Sequence, residues 1–366
     1  ALPISKETKN IEYDKAVIEF RDLLKDSINL RLADEVDYAV MLSGGLDSSS
    51  ISSYAALNNP SKKITSISAV YPGDKKDESH FAKLVTEKYD NLNPLWIDSI
   101  DHKEFEKNIE NVIFHLECPL ADGSLIAQNS LMNRIKDRGI KVILSGNGGD
   151  EILAGYPAVF QPAQEANSIK KSKVTGLSLR AIIHLLPNKL KNNIYVWKHK
   201  RLKLLKDISY LKLLNPRFKN YNEKDLVNSY LINGLELWTL PNLMWYEDRN
   251  SMSASIESRC PFLDYRLVEY LLSLPGGYKI NSNFTKRILR DSMKGIVPDE
   301  ILERKDKQGF HAPNDIWVKY IDANFLMDQD FRKEFNYINF DVIRDSPFRT
   351  YWRVYTLFLW YKIFFK

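Results

Sequence analysis

Residues 40–50 read VMLSGGLDSSS, an apolar run that stops at two glycines, an aspartate and a string of hydroxyls. The apolar stretch 36–42 suits a buried strand, and residues 48–57 suit the helix that follows it. Between them lies a loop facing a helix N-terminus, where unpaired backbone N–H groups and the positive end of the helix dipole favour a phosphate. Gly44 and Gly45 let the backbone come close to such a ligand, and Ser43, Ser48 and Ser49 add hydroxyl donors. The Lys-Ser/Thr ending of the P-loop is missing, as is the glycine spacing of the dinucleotide fingerprint. Asp47 instead stands in the middle of the anion site, which makes sense if a divalent cation screens it from the phosphates. The stretch therefore predicts ATP with Mg²⁺; a plain strand, Gly-Gly turn and serine-capped helix is the alternative.

Working outward, strands and helices alternate. Residues 18–32 have the three-and-four spacing of an amphipathic helix leading into the first strand. A second strand is expected at 65–71 (TSISAVY), a helix at 77–89, a short strand at 93–97, helices at 104–116 and 126–138, and a fourth strand at 141–144. This order predicts an α/β fold, a mainly parallel twisted sheet with helices on both faces and ligands at the carboxyl ends of the strands. The fourth strand runs into SGNGGDEILAGY at 145–156, a second glycine-rich, acidic loop at the same edge. Close approach of a nucleotide needs glycine at Gly146, Gly148 and Gly149, and Asp150 is placed to be a second carboxylate for the metal. Read blandly, Asp150 and Glu151 are N-terminal charges on the next helix.

From residue 161 the alternation stops and the pattern is helical, which divides the chain into an α/β core (1–160), a basic helical insertion (161–235) and a helical C-terminal part (236–366) that completes the active site. Residues 168–206 hold no acid and a run of lysines and arginines from Lys170 to Lys203. Such a run reads first as a solvated helical face, and second as a dock for an acidic peptide, nucleic acid or membrane surface. Within 240–274, YEDRNSM packs two acids, an arginine and an asparagine beside apolar residues, where charged side chains are either paired or functional. TKRILRDSM at 285–293 looks like a basic amphipathic helix, and RKDKQGF at 304–310 is a charged loop whose lysine can reach a polyphosphate. The last apolar run, YWRVYTLFLWYKIFF at 351–365, is shorter than a membrane span and carries Arg353 and Lys362, so it reads as an aromatic helix packed on the core.

A chain of 366 residues suits two domains rather than one core. Hydrophobic content of 44% is ordinary for a soluble protein, and a formal charge of +5 does not by itself indicate nucleic acid. The two cysteines, Cys118 and Cys260, have no metal or redox spacing. With no signal peptide or membrane segment in the sequence, the cytoplasm is the simplest location.

The loop SGGLDSS looks like the pyrophosphate loop of the N-type ATP pyrophosphatases, which are HUP-like in fold. Taken together, SGGLDSS, LSGNGGDE, YEDRNSM, ESRCPFLDYRLVE and RKDKQGF resemble, in content and order, the synthetase domain of the class B asparagine synthetases and of the related β-lactam synthetases, carbapenam synthetases and lasso-peptide cyclases. The resemblance covers nearly the whole chain. It implies a cytoplasmic ATP-dependent ligase in which a carboxylate is adenylated, pyrophosphate leaves, and ammonia or an amine displaces AMP. By resemblance, Asp47 and Asp150 hold Mg²⁺, the loop from Ser43 through Leu46 to Ser49 holds the pyrophosphate portion with Ser145 beside it, and Leu42, Ala69 and Gly146 surround adenosine. Lys307 matches a lysine that stabilises the charged transition states, and Glu247 matches an acid that deprotonates or orients the nucleophile in the lactam-forming relatives.

Two departures bear on the product. Position 147 is Asn, where typical asparagine synthetases have glutamate (SGEG) and β-lactam synthetases have tyrosine (SGYG), and an amide cannot act as a general base. The glutamine-using enzymes also carry an N-terminal amidohydrolase domain with a nucleophilic cysteine, absent from this sequence; residues 3–15 resemble the linker that follows it, which favours its removal or its supply by a partner chain. The expected partners are thus a small-molecule or peptide carboxylate and ammonia or an amine, from a glutaminase domain or subunit outside this chain. A homodimer is among the assemblies this allows. The first expectation is asparagine-synthetase-like amidation, and the second an amide ligase or macrolactam-forming cyclase on a peptide or biosynthetic intermediate.

Overall fold

The computed structural model describes residues 9–32, 36–71, 77–98, 102–157, 159–160, 225–306, 317–344 and 346–366. The basic run 168–206 and Lys307 lie outside these residues.

The chain folds around a five-stranded, fully parallel sheet in the order β3-β2-β1-β4-β5. Its strands are β1 (Tyr38–Met41), β2 (Ile64–Val70), β3 (Leu92–Asp98), β4 (Val142–Leu144) and β5 (Glu257–Arg259). The helices that lead into and between the first four are α1 (Tyr13–Asn29), α2 (Leu46–Asn58), α3 (Ser79–Lys88), α4 (His102–Leu116) and α5 (Ser124–Lys136). Side chains on a strand alternate between faces, and here both faces are covered. Tyr38, Val40 and Leu42 pack with Phe20 and Leu24 of α1, Ile51 of α2 and Val85 of α3. Ala39 and Ile143 turn the other way, onto Leu131, Met132 and Ile135 of α5.

Helix α2 is buried on nearly every side, Ser49, Ser50, Ser52 and Ser53 included. Small hydroxylated side chains let it sit that close to its neighbours, and Ser50 satisfies its hydroxyl on the Leu46 carbonyl at 2.7 Å. Pro94 sits in β3, whose outer edge is free of a paired strand among the described residues, where a missing N–H is tolerated.

The four strands expected from the sequence are present. The fifth was not expected: β5 is three residues, Glu-Ser-Arg, paired only to β4, too short and polar to leave a periodic signal. It follows α7 (Leu240–Ser253), which lies beyond the short α6 (Gly149–Ile152) and ahead of α8 (Tyr265–Ser273) and α9 (Arg287–Ser292). The C-terminal helix α10 (Phe348–Phe365) buries Trp352 fully in an aromatic cluster with Phe105 of α4, Trp317 and Phe331. Phe105 stacks on Trp317 at 5.1 Å. No described helix is long and apolar enough to cross a membrane.

β1 has β2 on one side and β4 on the other, so the order of the strands reverses there. The crevice outside the carboxyl ends of β1 and β4 is where such sheets bind ligands.

Candidate active site

A cavity of about 290 Å³ opens at those two strand ends. From the first loop Leu42, Ser43, Gly45, Leu46, Asp47 and Ser48 line it, with Ala69 from β2; the second loop supplies Ser145, Gly146, Asn147 and Asp150. The first turn is knitted by hydroxyls: Ser48 Oγ lies 3.0 Å from Ser43 Oγ, accepts from the Ser43 N–H at 3.2 Å and donates to the Gly45 carbonyl at 3.1 Å. Gly45 is the residue just before α2, so the loop meets the helix N-terminus as its sequence implied.

Two loop residues stand back from the cavity. Gly44 has φ +80°, and a Cβ there would come within 2.8 Å of the Ala82 nitrogen and 2.9 Å of the Glu78 carbonyl oxygen; its missing side chain lets the loop lie against α3. Ser49 is fully buried within α2.

Glycines in the second loop let the two carboxylates converge. A Cβ on Gly149 would lie 2.6 Å from Asp47 Cγ, and one on Gly155 would lie 1.8 Å from Asp150 Oδ1. Between them sits a group that sequence reasoning missed. Lys286, buried and with φ 54°, pairs its Nζ with Asp47 Oδ2 and, at 2.6 Å, with Asp150 Oδ1. Burial alone would depress this lysine, but the two aspartates outweigh it and hold it above its ordinary value. It was hidden in TKRILRDSM because that run reads as one helix, whereas α9 begins only at Arg287 and Lys286 precedes it in a left-handed conformation. The usable signal was the Ile288-Leu289 pair, which fixes the buried face of that helix. Glu151, the loop's other acid, is buried and accepts the Tyr156 hydroxyl; burial raises its carboxyl above the usual range.

Two more cations line this end. Arg304 pairs with Glu78 and, at 2.9 Å, with Asp306, reaches the Gly44 carbonyl at 3.3 Å and lies 3.9 Å from the centre of the Phe81 ring. Arg290 donates to the Thr285 carbonyl at 2.8 Å and the Leu302 carbonyl at 2.6 Å.

The cavity wall around Glu247 is built differently. Glu247, on α7, is 3% exposed. Its Oε2 accepts from Asn147 Nδ2 at 2.8 Å and from Gln128 Nε2, and its Oε1 accepts from Ser258 Oγ at 2.5 Å. Burial pushes its carboxyl up, and the donors from Ser258, Ser145, Gln128 and Asn147 act against that push. The nearby Cys260 thiol is pushed up to about 12, chiefly by burial and then by the Glu247 charge. Asn147 is thus a donor to Glu247. Lys307, the remaining expected catalytic residue, lies outside the described residues.

The donor set suits Mg²⁺. Asp47 and Asp150 are hard oxygen ligands brought together by glycine contacts, and they already converge on one buried cation, the Lys286 ammonium. No group of three or more acidic, histidine or cysteine side chains fit to hold a metal is gathered among the described residues. One or two carboxylates completed by substrate phosphates is the usual Mg²⁺ arrangement, so two aspartates suffice.

Comparison with known proteins gives a consistent result. A model of the asparagine synthase family matches residues 19–350. The chain is 27% identical over 330 residues to asparagine synthetase [glutamine-hydrolyzing] 1 of Bacillus subtilis (strain 168), covering 84% of this chain and 51% of that protein. It is 29% identical over 323 residues to asparagine synthetase [glutamine-hydrolyzing] 3 of the same organism, covering 82% and 49%. It is also 26% identical over 358 residues to amidase chyE of Penicillium rubens, covering 81% and 52%. The chain therefore spans about half the length of the curated relatives it matches.

Proposed function

Because the chain belongs to the asparagine synthase family, we propose that it forms an amide bond with ATP, through an acyl-adenylate, releasing AMP and pyrophosphate. The observation that carries this reading is the meeting, in one cavity, of a compensated Asp47–Lys286–Asp150 cluster at a helix N-terminus and a separate buried carboxylate, Glu247. The first suits polyphosphate, and the second suits an amine.

In the first half-reaction an oxygen of the substrate carboxylate attacks the α-phosphorus of ATP, and the bond from that phosphorus to the bridging oxygen breaks to release pyrophosphate. Lys286, Arg290 and Arg304 present positive charge to the phosphates, and the backbone around Gly45 offers N–H donors. Asp47 and Asp150 would hold Mg²⁺, which when bound supplies further neutralisation of phosphate charge. In the second half-reaction the amine nitrogen attacks the acyl carbon and the carbon–oxygen bond to AMP breaks. Glu247 accepts the hydrogen bond, and then the proton, of that amine. Lys307 is assigned by its sequence match to the charged transition states.

The named relatives favour ammonia as the amine and aspartate as the carboxylate. A second reading, ligation or cyclisation on a peptide or larger intermediate, is favoured by Asn147, whose amide donates to Glu247 and leaves no second base at that position. ATP–pyrophosphate exchange with Mg²⁺ across aspartate, glutamate and acidic peptides tests both. Stimulation by aspartate supports the first reading, stimulation by peptides alone supports the second, and turnover to ADP and phosphate sinks the mechanism.

A further inference from the structure

The hydrogen-bond chain behind Glu247 has a direction, and the backbone fixes it. The Leu125 carbonyl can only accept, so the Asn250 atom 3.1 Å from it is the amide nitrogen. That nitrogen is also 2.9 Å from the Gln128 side chain, which must present its oxygen to Asn250 and therefore its nitrogen to Glu247. Asn250 is fully buried and stands outside the cavity lining, whereas Gln128 reaches the cavity wall. The chain thus runs from a main-chain carbonyl of α5, through an amide of α7, back to an amide of α5, and ends on the carboxylate at the cavity.

From this geometry we infer that Gln128 is a positioning residue for amide formation: locked by Asn250 and the Leu125 carbonyl, it can only donate to Glu247 and holds that carboxylate as a fixed acceptor for ammonia or a primary amine. The inference rests on the functional reading above. An amide N–H has no lone pair to offer a carboxylic acid proton, so Gln128 stabilises the ionised form of Glu247 and not the neutral one. Burial of Glu247 acts in the opposite sense, and the Asn147 and Ser258 donors reinforce Gln128 against it. The Cys260 thiol, pushed up to about 12 by burial and by the Glu247 charge, adds no competing charge at neutral pH. These donors favour the ionised carboxylate, the form able to take a proton, against the neutral form that burial favours.

Adenylation moves no amine proton, so it has no use for this acceptor, and the two half-reactions should separate. The test compares ATP–pyrophosphate exchange with amide formation from ammonium chloride in wild type, Gln128→Met and Asn250→Asp, using whichever carboxylate of the panel stimulates exchange most. Gln128→Met keeps the side chain's length and removes the donor. Asn250→Asp puts an acceptor against the Gln128 oxygen and the Leu125 carbonyl, which forces Gln128 to flip without replacing any residue that lines the cavity. In both variants amide formation should fall on the order of tenfold further than exchange. Equal losses in the two assays, or no loss of amide formation in Gln128→Met, overturn the inference. If the buried Asn250→Asp fails to fold, Gln128→Met decides alone. Wild type silent in exchange with every carboxylate is a different result: it removes the functional reading, and this inference falls with it.

Discussion

The two ends of the cavity solve the problem of buried charge in opposite ways. At the phosphate end the charges are largely paired: Lys286 lies between Asp47 and Asp150, and Arg304 between Glu78 and Asp306, while Arg290 is held by main-chain carbonyls. At the acceptor end a single carboxylate, Glu247, is held by neutral donors from Asn147, Gln128 and Ser258. Paired ions can exchange partners when a polyanion arrives, because attraction to the phosphates replaces attraction to the aspartates or glutamate. A carboxylate ringed by amides has no such partner to lose, and what its neighbours set is its direction and its readiness for a proton. On the proposed reading the first arrangement serves binding and neutralisation, and the second one proton transfer.

Substitutions can break this contrast or sharpen it. The largest effect is expected from Lys286→Met, which leaves two buried carboxylates facing each other and withdraws a preorganised donor; ATP–pyrophosphate exchange should fall by about two to three orders of magnitude. Exchange within tenfold of wild type would show that the aspartates manage the phosphates without this lysine. Asn147→Ala should cost amide formation about tenfold, the worth of a hydrogen bond to a charged group, and cost exchange less. Were exchange to suffer more, Asn147 would belong to the phosphate end and the division would be wrong. The smallest change is expected from Arg304→Lys, which keeps the charge but loses the planar fork that spans Glu78 and Asp306. The KM for ATP should rise about threefold with little change in kcat. A large drop in kcat instead would put Arg304 in the reacting centre rather than at its rim.

The same contrast decides how much could be read from the sequence. The phosphate end announces itself because its parts are local: a buried strand, two glycines, an aspartate and a helix start lie within eleven residues of each other, and the second acidic loop repeats the pattern at 145–151. The parallel sheet was legible for the same reason, since 3.6-residue and two-residue periods alternate plainly along the first 160 residues. Lys286 was not legible, because its role depends on a left-handed backbone just before α9 and on partners far along the chain. Gln128 was not legible either, since nothing about a glutamine within a helix says which way its amide turns. That direction comes from Asn250, on another helix, and from a main-chain carbonyl that carries no sequence signal.

Asp47 and Lys286 are 239 positions apart along the chain. In the finished fold the first four strands and the loops that follow them bring two acids to one point, while their neutralising ammonium comes from a much later part of the chain. Without that later part, the same two carboxylates would repel each other. The charge-compensated cluster therefore exists only when residues from widely separated parts of the chain are together. Since a ligand that prefers the closed arrangement stabilises it by mass action, the nucleotide would also serve as a clamp on the finished fold, holding its beginning to its end.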